Sequence, residues 1–218
     1  MIVLALDTAG VDCAVAIYDS DSDSLLAEVT ETIGRGHAEL LMPILDGALA
    51  GAGVALEEVD RIAVTVGPGS FTGIRVGVAA ARGLALSLGI PAVGVTTLEV
   101  MATAARDGAP GWPVLPAMDA KRGEIYLQPF DVDGKAAGEP QALTVAEARK
   151  LAAEFNGLIV GSAAALLTDG TANAVRDAFP VGVVARLGAT KPANEKPKPL
   201  YLRGPDVRPQ SGYAVARV

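Results

Sequence analysis

A serine that opens a helix directly after a Gly-Pro-Gly turn can do three kinds of chemistry. In Gly67-Pro68-Gly69-Ser70-Phe71-Thr72-Gly73-Ile74-Arg75-Val76-Gly77, Ser70 could be a nucleophile, the helix start could hold an anion, or the hydroxyl could cap the helix. A serine nucleophile needs a positioned base and an oxyanion hole. His37 is the only imidazole in the 218 residues, and the surroundings of Ser70 lack the Gly-x-Ser-x-Gly elbow. A phosphate loop ends in Gly-Lys-Ser/Thr, whose lysine reaches the phosphates, and Gly67 to Gly73 carries no lysine. Capping fits best, because Ser70 can accept a hydrogen bond from an orphan amide of the first turn. One histidine also rules out two imidazoles four apart on a helix, so no metal site is expected, and neither Ser70 nor His37 is expected to be catalytic. Cys13, the single cysteine, excludes an internal disulfide and reads as a small buried residue in a reducing compartment.

The elements that must position these residues follow from periodicity. Strands are expected at Ile2–Asp7, Cys13–Tyr18 and Leu25–Thr30, joined by short polar turns as an antiparallel meander. A helix runs from His37 to about Ala50 with Leu41, Ile44, Leu45, Ala48 and Leu49 on its apolar face. Strand Arg61–Val66, helix Ser70–Leu88 and strand Ala92–Val95 form a crossover unit. Thr96 to Glu99 and Thr144 to Glu147 have capping-box spacing, the second opening a helix to about Glu154. Further strands are expected at Val114–Met118, Glu124–Phe130 and Leu158–Val160. Within the Ser70 helix, Gly73, Gly77, Ala81 and Ala85 recur every four residues and share one face. An interior glycine costs about 1 kcal/mol of helix propensity, so this face calls for close packing. A partner helix is the preferred neighbour; the alternative is the chain's own sheet.

Lys and Arg number 18 and Asp and Glu 25, a formal net charge of −7, with 4% aromatic residues. Nucleic-acid binders gather positive charge and stacking platforms, so this chain alone is expected to bind RNA poorly. No apolar run is expected to reach the roughly 18 residues that span a bilayer, and Met1 to Asp7 reads as a strand rather than a signal peptide. A cytoplasmic location without membrane contact is expected. Composition shifts at Gly108 to Pro113, dividing the chain into an N-terminal unit over 1–107 and a smaller mixed α/β unit over 108–190. The Pro- and Lys-rich tail over 191–218 is expected to be extended or partly disordered.

Three antiparallel strands followed by helix, strand, helix and strand is the order of a ribonuclease-H-like domain. With the second unit, the α/β fold class expected is the two-domain actin-like and Hsp70-like ATPase fold, mixed sheets with flanking helices. The resemblance then becomes specific. Leu6-Asp7-Thr8, His37 to Pro43, Gly67 to Arg75, Asp119 to Tyr126 and Tyr201-Leu202-Arg203 stand in an order and spacing similar to the TsaB (YeaZ) family. The resemblance implies a non-catalytic subunit for making threonylcarbamoyladenosine in tRNA. It implies a TsaD-like catalytic partner and a TsaE-like ATPase, with tRNA contacted only through the complex, and it allows a homodimer of the isolated chain. No intrinsic cofactor is implied; ATP or ADP has a place only at the partner interface.

In the family the helices matching His37–Ala50 and Ser70–Leu88 form the subunit interface. The partner-binding residues so implied are His37, Leu41, Ile44, Leu45, Ser70, Phe71, Gly73, Ile74, Arg75, Gly77, Ala81 and Ala85. Arg75 either pairs with an acid across that interface or is solvated or paired within the chain. Asp7 and Thr8 sit where actin-type ATPases place a phosphate hairpin, and so are nucleotide-binding candidates. Their loop lacks the fuller glycine and hydroxyl pattern, which favours a structural remnant. Tyr201-Leu202-Arg203 is expected to dock the tail back onto the body; its next position is Gly204. The alternative function is a free-standing actin-fold kinase or ATPase.

Overall fold

Ile2–Asp7 (β1), Asp12–Asp19 (β2) and Ser24–Thr32 (β3) pair antiparallel, as the short turns between them demand. The computed structural model describes residues 1–168, 170 and 176–203. In it, β1 also pairs in parallel with Arg61–Thr65 (β4), and β4 with Ala92–Val95 (β5). The resulting sheet has the order β3-β2-β1-β4-β5. Val3 to Leu6, Cys13 to Ile17 and Ile62 to Val64 are buried without alternation, the mark of strands covered on both faces.

Helices His37–Ala52 (α1) and Phe71–Leu88 (α2) pack beside each other on this sheet. Against expectation, α2, with a mean hydropathy of 1.3, is long and apolar enough to cross a membrane by length and composition alone. Its Ile74, Val78 and Ala81 are instead buried in the core around the sheet. Thr97–Gly108 (α3), opened by the expected capping box of Thr96 and Glu99, leads to the second sheet. Val114–Asp119 (β6), Glu124–Leu127 (β7), Gln141–Thr144 (β8) and Leu158–Val160 (β9) form it in the order β8-β7-β6-β9. Alternate residues of β6 serve two cores. Val114 and Met118 join the core of the first sheet, while Leu115 and Ala117 pack with Val145–Glu154 (α4) and Ala164–Leu167 (α5).

The two sheets repeat one plan. A three-strand meander, a helix and a strand parallel to the first describe both β1-β2-β3-α1-β4 and β6-β7-β8-α4-β9. Asp7 and Asp119 each end the first strand of their unit.

The structure departs from expectation in three places. Glu124–Phe130 stops at Leu127, and Phe130 makes isolated bridges to Val114 and Ala136. β8 comes from a stretch with only two apolar residues, and gains its place by pairing with β7. Val181–Thr190 (α6) lies within the expected second unit, yet Val181, Val183, Val184 and Ala185 are buried in the core of the first sheet. A Cβ on Gly188 would overlap Ala63, whereas Gly77 of α2 faces Val64. Successive residues of a strand point to opposite faces, so α6 covers the side of the sheet that α2 leaves open. The chain therefore returns to its first unit before the tail begins. Residues 191–203 carry neither helix nor strand; the rest of the tail, with Gly204, lies outside the described residues.

Candidate functional site

Ser70 caps α2 as its position demands, its Oγ accepting from the Gly73 amide at 3.2 Å. The Gly-Pro-Gly turn before it is pinned by Thr97, whose amide donates to Gly67 O (3.0 Å) and whose hydroxyl donates to Pro68 O (2.6 Å). This places the first turn of α2 directly on the β1–β2 hairpin. The Ser70 amide donates to Ala9 O at 2.7 Å, and the Thr8 hydroxyl to Gly73 O at 2.7 Å. A Cβ on Gly69, Gly73 or Gly77 would come well inside 3.0 Å of Ala9 or Thr8. These glycines are small because the hairpin lies against them.

Asp7 and Thr8 are therefore part of a seam. Asp7 is 2% exposed, and its Oδ1 accepts from the Thr65 hydroxyl (2.6 Å) and the Ala9 amide (3.1 Å). Burial pushes its pKa up to about 6 against the pull of those donors. Phe179 covers the hairpin at Gly10, a Cβ on which would lie 3.2 Å from its ring, and Arg176 pairs with Asp12. A phosphate cradle needs free amides and space; here the Ala9 amide and the Thr8 hydroxyl are already engaged.

The small-residue face points inward, against the preferred expectation. Gly73, Ile74, Gly77, Ala81 and Ala85 are buried in the chain itself, and so are His37, Leu41, Ile44 and Leu45 of α1. His37 Nε2 lies 3.1 Å from Asp12 O. The periodicity that selected these residues marks the faces turned to the sheet, so they cannot also meet a partner helix. Ser70, Phe71 and Arg75 remain at the surface.

Apart from Ser70, Phe71 and Arg75, the exposed sides of α1 and α2 were missed from sequence. Met42 (40% exposed), Phe71 (55%) and Leu86 (81%) are large apolar residues open to solvent. Gly47 and Gly83 lie inside α1 and α2, and a Cβ on either would meet nothing within 4 Å. The available signal was that Gly83 falls off the four-residue stripe and so needs a different explanation.

Arg75 is paired within the chain. Its Nε donates to the Tyr201 hydroxyl at 2.8 Å, and its guanidinium carbon stands 3.8 Å from the Phe71 ring centre and 5.7 Å from that of Tyr201. The tail docks as expected: the Leu200 amide donates to Val66 O at 2.7 Å. Arg203 pairs with Glu124 and reaches the carbonyls of Ala120 and Lys121. In the β6–β7 hairpin, Asp119 accepts from the Lys121 amide (2.8 Å) and ammonium (2.9 Å), which hold its carboxyl below the usual range. Among the described residues no group of three or more His, Cys, Asp or Glu could hold a metal ion. Burial pushes the Cys13 thiol up to about 11.

A family profile described as TsaD, tRNA N6-adenosine threonylcarbamoyltransferase, matches residues 25–180. The tRNA threonylcarbamoyladenosine biosynthesis protein TsaB of Escherichia coli is 37% identical over 61% of this chain and 56% of its own length. The chain thus spans about half the length of that curated relative. An uncharacterized protein of Mycobacterium tuberculosis is 35% identical over 95% of this chain and 94% of its own. Among solved structures, YeaZ from Pseudomonas aeruginosa matches with a TM-score of 0.77 and 27% identity, covering 92% of this chain and 99% of that one.

Proposed function

The chain belongs to the TsaB (YeaZ) family, and from that premise we propose that it serves threonylcarbamoyladenosine biosynthesis in tRNA as a non-catalytic subunit. Its task is to bind and steady a larger catalytic subunit of the TsaD family. A TsaE-like ATPase joins the assembly, and tRNA is met only through it. Any ATP or ADP belongs at the subunit interface and not in the Asp7–Thr8 hairpin.

The observation that carries this reading is the pair Gly47 and Gly83, each inside a helix, exposed, and with nothing among the described residues within 4 Å of an added Cβ. Helix glycines cost about 1 kcal/mol each, and no close packing among the described residues offsets that. Close approach of a second molecule would. The exposed Met42, Phe71 and Leu86 on the same two helices supply the apolar area such contact needs. The filled hairpin supports the non-catalytic half of the reading, because a phosphate would have to displace the first turn of α2.

The test is light scattering of the purified chain with the TsaD-family subunit of the same organism, beside a thermal melt. Gly83→Leu should leave melting unchanged or raise it, since leucine favours the helix. It should weaken the complex about tenfold to a hundredfold by blocking close approach. Failure of the wild-type chain to bind that subunit, with tRNA modification intact in a strain lacking the chain, overturns the proposal.

A further inference from the structure

Arginine is most useful at an interface when its guanidinium is already ordered, because the entropy of fixing a long side chain is then not lost on binding. Arg75 is in that condition. Phe71 lies under its guanidinium at 3.8 Å, the Tyr201 ring stands on another side at 5.7 Å, and the Tyr201 hydroxyl accepts from Nε at 2.8 Å. The two rings contact each other at 5.3 Å between centres. Neither Nη1 nor Nη2 has an acceptor among the described residues. Arg75 is exposed, and Phe71 and Tyr201 are 55% and 46% exposed. An exposed fork of N–H donors, stacked on the Phe71 ring and bonded through Nε to Tyr201, matches a planar carboxylate.

Resting on the subunit reading above, we propose that Arg75 is the anchor by which the α2 face recognises a carboxylate side chain of the TsaD-family partner, and that Tyr201 is its positioning residue. Tyr201 holds its place because the tail is tied on both sides of it, by the Leu200 amide to Val66 O and by Arg203 to Glu124. A protein carboxylate suits the site better than a nucleic-acid phosphate, since phosphate backbones are held by several cations together. Of the cations in the β6–β7 hairpin and the docked tail, Lys121 and Arg203 are paired with Asp119 and Glu124, and Arg122 is engaged as well. Arg82 lies two helical turns away, about 10 Å along the axis. Arginine and aromatic residues are also the types that dominate interface energies.

Calorimetric titration of the chain with the partner subunit tests the assignment. Arg75→Lys keeps the charge but loses the fork, and should weaken binding about 10- to 100-fold. Tyr201→Phe keeps the ring but frees Nε, and should weaken it about 3- to 10-fold. The double variant should bind no worse than Arg75→Lys alone, because Tyr201 acts through Arg75. Melting temperatures of all three should match the wild type, as both side chains are at the surface. Unchanged binding by Arg75→Lys overturns the anchor while leaving the docking face intact, and additive losses overturn the positioning role of Tyr201. Loss of tRNA capture by the assembled complex with an unchanged protein–protein constant would reassign the guanidinium to RNA and also overturn the proposal. Absence of wild-type binding is a different result, and it fails the subunit reading itself.

Discussion

Asp7 and Asp119 end equivalent strands of a repeated plan, yet one is sealed and the other open. Asp7 is 2% exposed, bonded to Thr65, and raised to about 6 by burial. The Asp119 side chain is 31% exposed and held below its usual range by Lys121. The strands are alike; the elements after their parallel neighbours differ. After β4 comes a long helix whose glycine-rich first turn settles on the hairpin. After β9 come Gly161, Ser162 and the four-residue α5. Ser162 accepts from the Asp119 amide and leaves the hairpin to solvent and to Arg203. Topology places a carboxylate at the strand end, and the covering element decides whether it is structural or accessible.

The largest break in that comparison should come from Gly77→Leu. Its first added carbon already overlaps Thr8, so the loss should reach about 3 kcal/mol, or about 6–12 °C in melting temperature for a chain of this size. Melting like the wild type would mean that α2 does not rest on the hairpin.

Next is the pH dependence of Asp7. Its folded pKa of about 6 stands above the usual 3.8, so between those values the folded state binds the proton more tightly. Stability from this group therefore falls as pH rises through the window, and the penalty is fully present above about pH 6. Asp7→Asn, whose Oδ1 can still accept from Thr65 and Ala9, should be more stable than wild type at pH 7.5 by about 2–3 kcal/mol. That gain should shrink as pH falls below about 6 and vanish only below the usual 3.8. Parallel denaturation curves across that range would show that Asp7 does not titrate there.

Asp119→Asn should act with the opposite sign and the smallest size. A depressed carboxyl stabilises above its unfolded value, and the benefit is lost as pH falls through the folded one. The group is partly exposed and its partner fully so, and exposed pairs are weak and screened. The substitution should shift melting slightly downward at low salt and not at all in about 0.5 M salt, where the Debye length is about 4 Å. A drop as large as that from Gly77→Leu would mean that the second hairpin is as structural as the first.

Legibility differed between the two regions for the same reasons. β1, β2, α1, α2 and both capping boxes announce themselves through long apolar runs, helical spacing and cap residues. Gln141–Thr144 does not, because a four-residue strand with two apolar side chains owes its state to its neighbour. Val181–Thr190 reads Val-Gly-Val-Val-Ala-Arg-Leu-Gly-Ala-Thr, rich in β-branched residues and glycine, and becomes a helix because the open face of the sheet buries it. In the candidate site, the cap role of Ser70 was legible because a cap is local. The direction of the Gly73–Ala85 stripe was not: spacing says that a face is small, and only the fold says what lies against it. Gly47 and Gly83 were visible as letters, but their meaning required knowing that no neighbour reaches them.

The late position of α6 in the chain sets a schedule for synthesis. The first sheet and the helices on one side of it are complete once α3 has left the ribosome. The other side waits for Val181, Val183 and Val184, roughly eighty residues later, about 4–16 s at a rate of about 5–20 residues per second. During that interval a broad apolar surface has no lid. A chain truncated after α3 would keep that surface permanently bare and should be captured by chaperones or precipitate, while the longer chain closes it with α6.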